Sequence, residues 1–433
     1  MSNESISKRD VNVLWHPCTQ MKDHETFPII PISKGNGVHL EDFEGNRYID
    51  GISSWWVNLF GHCHPYINSK VKEQLDTLEH VILAGFTHEG IVDLSERLVR
   101  LAPKGLTRCF YADNGSSAVE VALKMSYHAH RNQGREKGLF VSLSNSYHGE
   151  TLGALSVGDV ALYKETYEPL LIRSVQTQCP RDQSIQAAQE AISCFEALLK
   201  EKSHEIAALI VEPLVQGAGG MVMYHPSYLT QAKRLCTEYG IHFIADEVMV
   251  GFGRTGTLFA CEQADITPDF LVLSKGLTGG YLPLSVVMTT ESIYGEFYCD
   301  YNPYRSFLHS HSYTGNALAC AAANATLDLF EKDKVIEANH RLASAIKDGL
   351  NRFVSRKEVK ETRQCGMIGV IELQGFDPAQ RIGVQIHRHC LANGILIRPL
   401  GSVIYVMPPY VITVEELGRI FDAIENALNE LTL

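Results

Sequence analysis

Two charged residues, Asp246 and Lys275, could do chemistry together because each follows the end of a predicted strand. Residues 241–245 (IHFIA) and 269–273 (DFLVL) are short runs of mainly apolar residues, which is typical of buried strands. Asp246 follows the first run directly, and Lys275 stands two residues after the second, before a glycine-rich loop. Ligands of parallel sheets bind at the carboxyl ends of the strands. The pattern therefore predicts a carboxylate and an amine at one binding site.

A carboxylate and an amine in these positions suit pyridoxal 5'-phosphate (PLP). The amine of Lys275 could form a Schiff base with the aldehyde of this cofactor. Asp246 could keep the pyridine nitrogen protonated, so that the ring accepts electrons. The residues alone also allow a second interpretation, two unrelated charges at strand ends.

Three further segments could complete such a site. The loop Asn114–Ser117 opens a predicted helix, where free N–H groups and the helix dipole favour a phosphate on Gly115 and Ser116; simple helix capping is the alternative. Tyr147 follows a predicted strand and could either stack on a flat ring or pack within its loop. Residues 309–312 (HSHS) precede an alanine-rich helix and offer a second phosphate contact.

Two more segments suggest the wall of a substrate pocket. Adjacent tryptophans, Trp55 and Trp56, would point to opposite sides of an extended chain, one into the core and the other into a pocket. Residues 395–410 (ILIRPLGSVIYVMPPY) predict a hairpin. Arg398 lies on this hairpin and could either clamp a substrate carboxylate or be an ordinary surface residue.

Composition excludes several classes of protein. The chain has 433 residues and a net charge of −12, which argues against a general nucleic-acid surface. We expect no membrane span, because no apolar run is long enough, and a cytoplasmic location, because the N-terminus lacks an apolar signal core. The 11 cysteines are scattered without a CxxC pair, so we expect reduced thiols and no metal site.

The order of the predicted elements indicates an α/β protein. Strands and helices alternate from about residue 108 to residue 289, which predicts a mostly parallel sheet with helices on both faces. We assign residues 61–330 to a large domain. Residues 1–60 and 331–433 are assigned to a smaller α+β domain that both termini build.

The motifs together resemble class III PLP-dependent aminotransferases of fold type I over nearly the whole chain. The matching segments are WHPCTQM, SSWW, YADNGSSAVEVALKM, NSYHGET, VEPLVQGAGGM, ADEVMVGFGRTG, LSKGLTGGYLPLS, HSHSYTGNALACA and IRPLGSVIYVMPPY. The SSWW, RPLG and MPPY segments are similar to those of the class members that transfer an amino group from S-adenosylmethionine to 8-amino-7-oxononanoate in biotin synthesis.

The resemblance implies a role for each candidate residue. Lys275 would be the catalytic lysine bound to PLP, Asp246 would pair with the pyridine nitrogen, and Tyr147 would stack on the ring. A homodimer with shared active sites is implied as well. The cofactor phosphate would be held by Gly115 and Ser116 and, from the partner subunit, by His311 and Ser312. The substrate would be contacted by Trp55, Tyr147, Lys275, Ser310 and Arg398, with Arg254 as a weaker candidate.

The resemblance has departures and leaves alternatives. Cys18 stands where the family often has a tyrosine that contacts substrate, Ser312 where it has threonine, and Ser310 where glycine is usual. Lysine could replace S-adenosylmethionine as the donor. Another ω-amino acid aminotransferase of the same class, a PLP aminomutase and an inactive PLP-binding protein are the other interpretations.

Overall fold

The computed structural model describes residues 2–431. The strands, in chain order, are β1 (Ile32–Asn36), β2 (His39–Asp42), β3 (Arg47–Asp50), β4 (Leu106–Ala112), β5 (Leu139–Leu143), β6 (Ser174–Thr177), β7 (Ile206–Val211), β8 (Val215–Gln216), β9 (Val222–Met223), β10 (His242–Asp246), β11 (Phe270–Leu273), β12 (Ser285–Thr290), β13 (Val359–Cys365), β14 (Ile368–Leu373), β15 (Ile395–Leu396) and β16 (Val403–Val406).

The helical segments connect and cover these strands. They are α1 (Asn3–Val11), α2 (Ser53–Trp56), α3 (Pro65–Leu75), α4 (Glu89–Leu101), α5 (Gly115–Asn132), α6 (Leu152–Ser156), α7 (Ala161–Lys164), α8 (Ile185–Lys202), α9 (Ser227–Glu238), α10 (Glu291–Gly295), α11 (Ala317–Asp333), α12 (Val335–Asn351), α13 (Ile382–Ala392) and α14 (Val414–Leu431). None of the helices between residues 2 and 431 is both long and apolar enough to cross a membrane.

A seven-stranded sheet in the order β4-β12-β11-β10-β7-β5-β6 forms the centre of the molecule. Only β12 runs antiparallel to its neighbours within this sheet. The prediction of a mostly parallel α/β sheet is therefore confirmed. Parallel pairing of β10 with both β7 and β11 brings the carboxyl ends of these three strands to one edge.

Both faces of the central sheet are buried, as a parallel sheet requires. Successive residues of β7 alternate between two apolar clusters: Leu209 and Val211 join the cluster that contains residues of α8 and α9, whereas Ala208 and Ile210 join the cluster that contains α5. This alternation follows from the period of two in a strand. Helices on both sides therefore hold the strand ends rigidly in place.

The two ends of the chain meet in a second, smaller sheet. Its strand order is β1-β2-β3-β15, and the pairing of β15 with β3 is parallel. A three-stranded sheet, β13-β14-β16, packs beside α12, and α14 contacts both α12 and α13. The boundaries of the predicted domains stay predictions, although this pairing is what a small domain built from both termini would produce.

Two local predictions were wrong. Residues 395–410 do not form a hairpin, because β15 joins the N-terminal sheet through β3 whereas β16 pairs with β14. The segment around Trp55 and Trp56 is not extended but a left-handed turn, α2, in which the N–H of Trp56 donates to the carbonyl of Ile52 at 2.9 Å.

Candidate active site

A cavity of about 610 Å³ opens at the carboxyl ends of β7, β10 and β11. We refer to it as the central cavity. Asp246 and Lys275, the two charged residues at predicted strand ends, both line it. The residues on its wall include polar, charged and aromatic side chains and one glycine: Cys18, Trp55, Trp56, Gly115, Ser116, Tyr147, His148, Glu150, Glu212, Asp246 and Lys275.

Lys275 lines the central cavity two residues after the end of β11, with its amine buried and the residue as a whole partly accessible. Burial lowers the pKa of its amine to about 8, although the carboxylates of Asp246 and Glu212 act in the opposite direction. The Nζ atom lies 4.6 Å from the ring centroid of Trp56. A lysine with a lowered pKa has a larger neutral fraction near physiological pH and can act as a nucleophile or a base.

Asp246 ends β10 with its carboxylate held on both oxygens. Oδ2 lies 2.7 Å from Nδ1 of His148, and Oδ1 accepts the N–H of Val248 at 3.1 Å. The imidazole of His148 is buried, and its Nε2 has no hydrogen-bond partner in the described part of the chain. This pairing holds the carboxylate group at a fixed point on the cavity wall.

The N-terminus of α5 presents free amides to the central cavity. Asn114 caps the helix by accepting the N–H of Ser117 at 3.0 Å, so the capping residue is not a serine. Among residues 2–431 no acceptor is found for the amides of Gly115 and Ser116. A side chain at Gly115 would place its Cβ 2.7 Å from a methyl carbon of Val248, so glycine is required here. Two free amides at a helix start favour an anion.

Tyr147 is fixed at both ends by carboxylates. Its N–H donates to Oε1 of Glu212 at 2.9 Å, and its hydroxyl donates to Oε1 of Glu150 at 3.0 Å. Burial and the charge of Glu150 raise the pKa of the hydroxyl well above its ordinary value, so it stays protonated. The ring is therefore held in one orientation, as stacking on a planar group would require.

Three residues from distant parts of the chain meet at the mouth of the central cavity. The guanidinium of Arg398 lies 4.8 Å from the ring centroid of Trp55 and donates to the carbonyl oxygen of Cys18 at 2.9 Å. The side chain of Trp55 is 39% exposed, whereas Trp56 is buried. Trp56 belongs to the buried core and Trp55 is the more exposed of the two, as the expectation of one core and one pocket tryptophan requires, and both have atoms on the cavity wall.

The turn that carries these tryptophans has an unusual backbone. Residues Ser53, Ser54, Trp55 and Trp56 have φ angles of 51°, 45°, 73° and 72°. A left-handed helical conformation costs an L-residue about 1–2 kcal/mol. Four consecutive residues in this conformation need support from the surrounding structure.

Five of the residues considered for the site do not line the central cavity, and one of them, Arg398, reaches it only through its contacts with Trp55 and Cys18. Ser310, His311 and Ser312 lie before α11, where the carbonyl of Ser312 accepts from Nε2 of His80 at 2.7 Å. Their roles across a subunit interface stay predictions. Arg254 is buried and donates to the carbonyls of Pro408 and Asn58, so its guanidinium links these two distant segments of the chain.

Glu212 and His148 were missed as site residues. Glu212 directly follows β7, close to the way Asp246 ends β10, and its buried carboxylate accepts the N–H of Gly217 at 2.8 Å as well as that of Tyr147. Burial raises its pKa to about 7. The strand-end position of Glu212 in VEPLV was a usable signal, since it matches that of Asp246.

Comparison with known proteins places the chain in a family. A model of class III aminotransferases matches residues 19–428, so the chain belongs to the class III aminotransferase family. The adenosylmethionine-8-amino-7-oxononanoate aminotransferase of Helicobacter pylori is 51% identical over 434 residues, covering 99% of this chain and 98% of that protein.

Two solved structures are similar over nearly their whole length. The crystal structure of the aminotransferase of the same name from Methanocaldococcus jannaschii has a TM-score of 0.95 at 35% identity and covers 99% of both chains. An amine transaminase from an uncultivated Pseudomonas species, in its PLP-bound form, has a TM-score of 0.92 at 30% identity and covers 96% of this chain and 98% of that one. The predicted class, fold type, aminotransferase activity and cofactor are confirmed.

Proposed function

We propose that this aminotransferase moves an amino group from S-adenosylmethionine to 8-amino-7-oxononanoate, giving 7,8-diaminononanoate for biotin synthesis. The observation that carries the proposal is one cavity lined by both Lys275 and Asp246, in a chain 51% identical over its full length to an enzyme of that name. A ping-pong order follows from a single cavity that must take the donor and the acceptor in turn.

The residues of the central cavity fit PLP. A phosphate matches the free amides at the start of α5, and the aldehyde matches the amine of Lys275. The pyridine nitrogen matches Asp246, whose carboxylate is held in place by the contact with His148. Tyr147 would cover one face of the ring. When bound, PLP supplies an electron sink for the carbon atom that loses a proton.

Lys275 holds and moves the proton in this proposal. Because its pKa is lowered to about 8, part of the amine is neutral at physiological pH and can accept a proton from Cα of the amino donor. The carboxylates of Asp246 and Glu212 stabilise the ammonium that forms. Arg398 binds the carboxylate of the acceptor at the cavity mouth, where Trp55 fixes its guanidinium plane.

We further propose a homodimer in the cytoplasm. Large side chains before α11 are exposed on the isolated chain, including Tyr298 (76%), Tyr301 (95%), Tyr304 (89%) and Leu308 (78%), in the segment that carries Ser310, His311 and Ser312. Exposed apolar surface of this kind supports a subunit contact. All 11 cysteines are free, which suits a reducing compartment.

The proposal is tested by assay of the purified protein. Diaminononanoate should form from 8-amino-7-oxononanoate when S-adenosylmethionine is the donor, and not when lysine replaces it. Lys275→Ala should bind PLP without turnover. Product formation with lysine alone would assign a different donor, and transamination by Lys275→Ala at the wild-type rate would refute the role of this lysine.

A further inference from the structure

The left-handed turn α2 depends on one buried carboxylate. Asp50 ends β3 and is completely buried. Its Oδ1 accepts the N–H of Ser54 at 2.9 Å and the N–H of Ile52 at 3.3 Å. Its Oδ2 accepts the hydroxyl of Ser54 at 2.7 Å and lies 3.0 Å from Nε2 of His62. Both oxygens are therefore occupied, and three of the four contacts hold the start of the turn.

The rest of the turn is attached to residues 405–407, at the end of β16 and just after it. The hydroxyl of Ser53 donates to the carbonyl of Met407 at 2.8 Å, and Nε1 of Trp56 donates to the hydroxyl of Tyr405 at 3.0 Å. These contacts anchor the first residue of the turn and the indole edge of Trp56. Ser54 has the smallest φ of the four, at 45°, and among residues 2–431 the hydrogen bond found for its backbone N–H is the one to Asp50.

We propose that Asp50 is a positioning residue for substrate, acting through this turn. By holding Ser54 in the left-handed conformation, it sets Trp56 at 4.6 Å from the amine of Lys275 and Trp55 at 4.8 Å from the guanidinium of Arg398. The effect on substrate rests on the proposed function, because Arg398 is there the ligand of the acceptor carboxylate. The effect on the tryptophans does not.

The chemistry requires a carboxylate at position 50. Asparagine has the same shape but only one acceptor oxygen, so in Asp50→Asn the amide nitrogen must face either the two N–H donors or the pair formed by Ser54 and His62. Either orientation removes acceptors that the turn uses. Relaxation of Ser54 toward a right-handed or extended conformation would then swing Trp55 and Trp56 away from their partners.

The matched control is Asp42→Asn. Asp42 is also buried, lies in the same sheet and caps its own turn by accepting the N–H groups of Glu44 and Asn46, each at 2.9 Å. It does not line the central cavity. A loss of stability common to buried, turn-capping aspartates appears in both variants, whereas displacement of the tryptophans is expected in Asp50→Asn alone.

The experiment measures tryptophan circular dichroism of the full-length protein, with and without PLP, and steady-state kinetics. In Asp50→Asn we expect the tryptophan bands to fall by about half and KM for 8-amino-7-oxononanoate to rise about tenfold, with a smaller change in kcat. Asp42→Asn should leave both unchanged. Ser54→Ala removes only one bond to Asp50, so it should lower the tryptophan bands less than Asp50→Asn does and raise KM by about threefold or less.

A rescue variant separates positioning from folding. Glycine adopts a positive φ without strain, so Asp50→Asn combined with Ser54→Gly should recover part of the tryptophan signal and of KM. Equal spectra and equal KM in Asp50→Asn and Asp42→Asn would overturn the proposal, and so would unchanged spectra in Ser54→Ala if Asp50→Asn does not fold. If the wild type fails to transaminate, the proposed function falls, while the spectra still decide the role of Asp50.

Discussion

Replacing Lys275 by methionine should abolish turnover and stabilise the protein that has not been loaded with PLP. The pKa of the buried amine is about 8, against an ordinary value of 10.5. At about 1.36 kcal/mol for each tenfold change in proton affinity, this difference corresponds to about 3.4 kcal/mol of destabilisation at pH 7. The cavity admits water to one side of Lys275, so the figure is an upper limit. Methionine keeps the contact with Trp56 and carries no charge.

The change of the stability difference with pH shows whether the charge of Lys275 causes it. Since the pKa of Lys275 is lowered in the folded protein, the destabilisation is complete below pH 8 and disappears as the pH rises toward 10.5. The stability advantage of Lys275→Met should therefore fall from at most about 3.4 kcal/mol at pH 7 to about 1.4 kcal/mol at pH 9.5. Urea denaturation of wild type and Lys275→Met without PLP, at one fixed protein concentration, measures this difference in unfolding free energy.

Lys137→Met is the matched control. This second buried lysine also has a lowered pKa because of burial, but its ammonium donates to the carbonyls of Ser203, Tyr239 and Gly240. Among residues 2–431, Nζ of Lys275 has no such acceptor. Lys137→Met should therefore lower the urea midpoint. A lower midpoint in Lys275→Met as well, or a difference from wild type that does not change with pH, would refute the reasoning.

Three further variants test other parts of the site. Gly149→Ala should raise the dissociation constant of PLP at least about tenfold in equilibrium dialysis, because its Cβ would lie 2.3 Å from Oγ of Ser116; Gly134→Ala, also at positive φ but in open space, should leave it unchanged. Glu247 has a pKa raised to about 7 by burial, so it should contribute a loss of about 3 kcal/mol in unfolding free energy as the pH rises from 4.5 to 7, and Glu247→Gln should remove that contribution. Arg398→Met should raise KM for the keto acid about tenfold without changing the visible spectrum of the PLP-loaded protein. An unchanged KM, a wild-type pH dependence, or equal PLP affinity in the two glycine variants would contradict the respective argument.

The parts of the site that could be predicted from sequence are those that local pattern determines. Asp246 and Lys275 follow apolar runs whose length and composition identify them as strands, and the parallel pairing of β10 and β11 then brings their ends together. The loop at Gly115, which is proposed to bind the phosphate, was visible for the same reason, since a glycine and serines directly precede an apolar helical pattern. In each case the information lies within about ten residues of the side chain concerned.

The parts that could not be predicted depend on contacts between distant segments. The partner of β15 is β3 at the other end of the chain, so a sequence that looks like a hairpin is divided between two sheets. The left-handed turn at Trp55 and Trp56 opposes the intrinsic preference of L-residues, and contacts to Asp50, Tyr405 and Met407 maintain it. Local propensity alone would have assigned this segment an extended conformation.

Destabilising features are concentrated at and beside the central cavity. A lysine with a lowered pKa, Lys275, faces a carboxylate with a raised pKa, Glu212, and both lie next to four consecutive residues in left-handed backbone. Each feature costs stability, and none is needed to close the core, because large apolar clusters cover both faces of the central sheet. The cost is explained if these groups serve the chemistry: an amine must lose its proton, a carboxylate must fix Tyr147, and a turn must present two indoles. Because Lys275 contributes charge rather than packing, its removal should raise stability in the same step that abolishes activity.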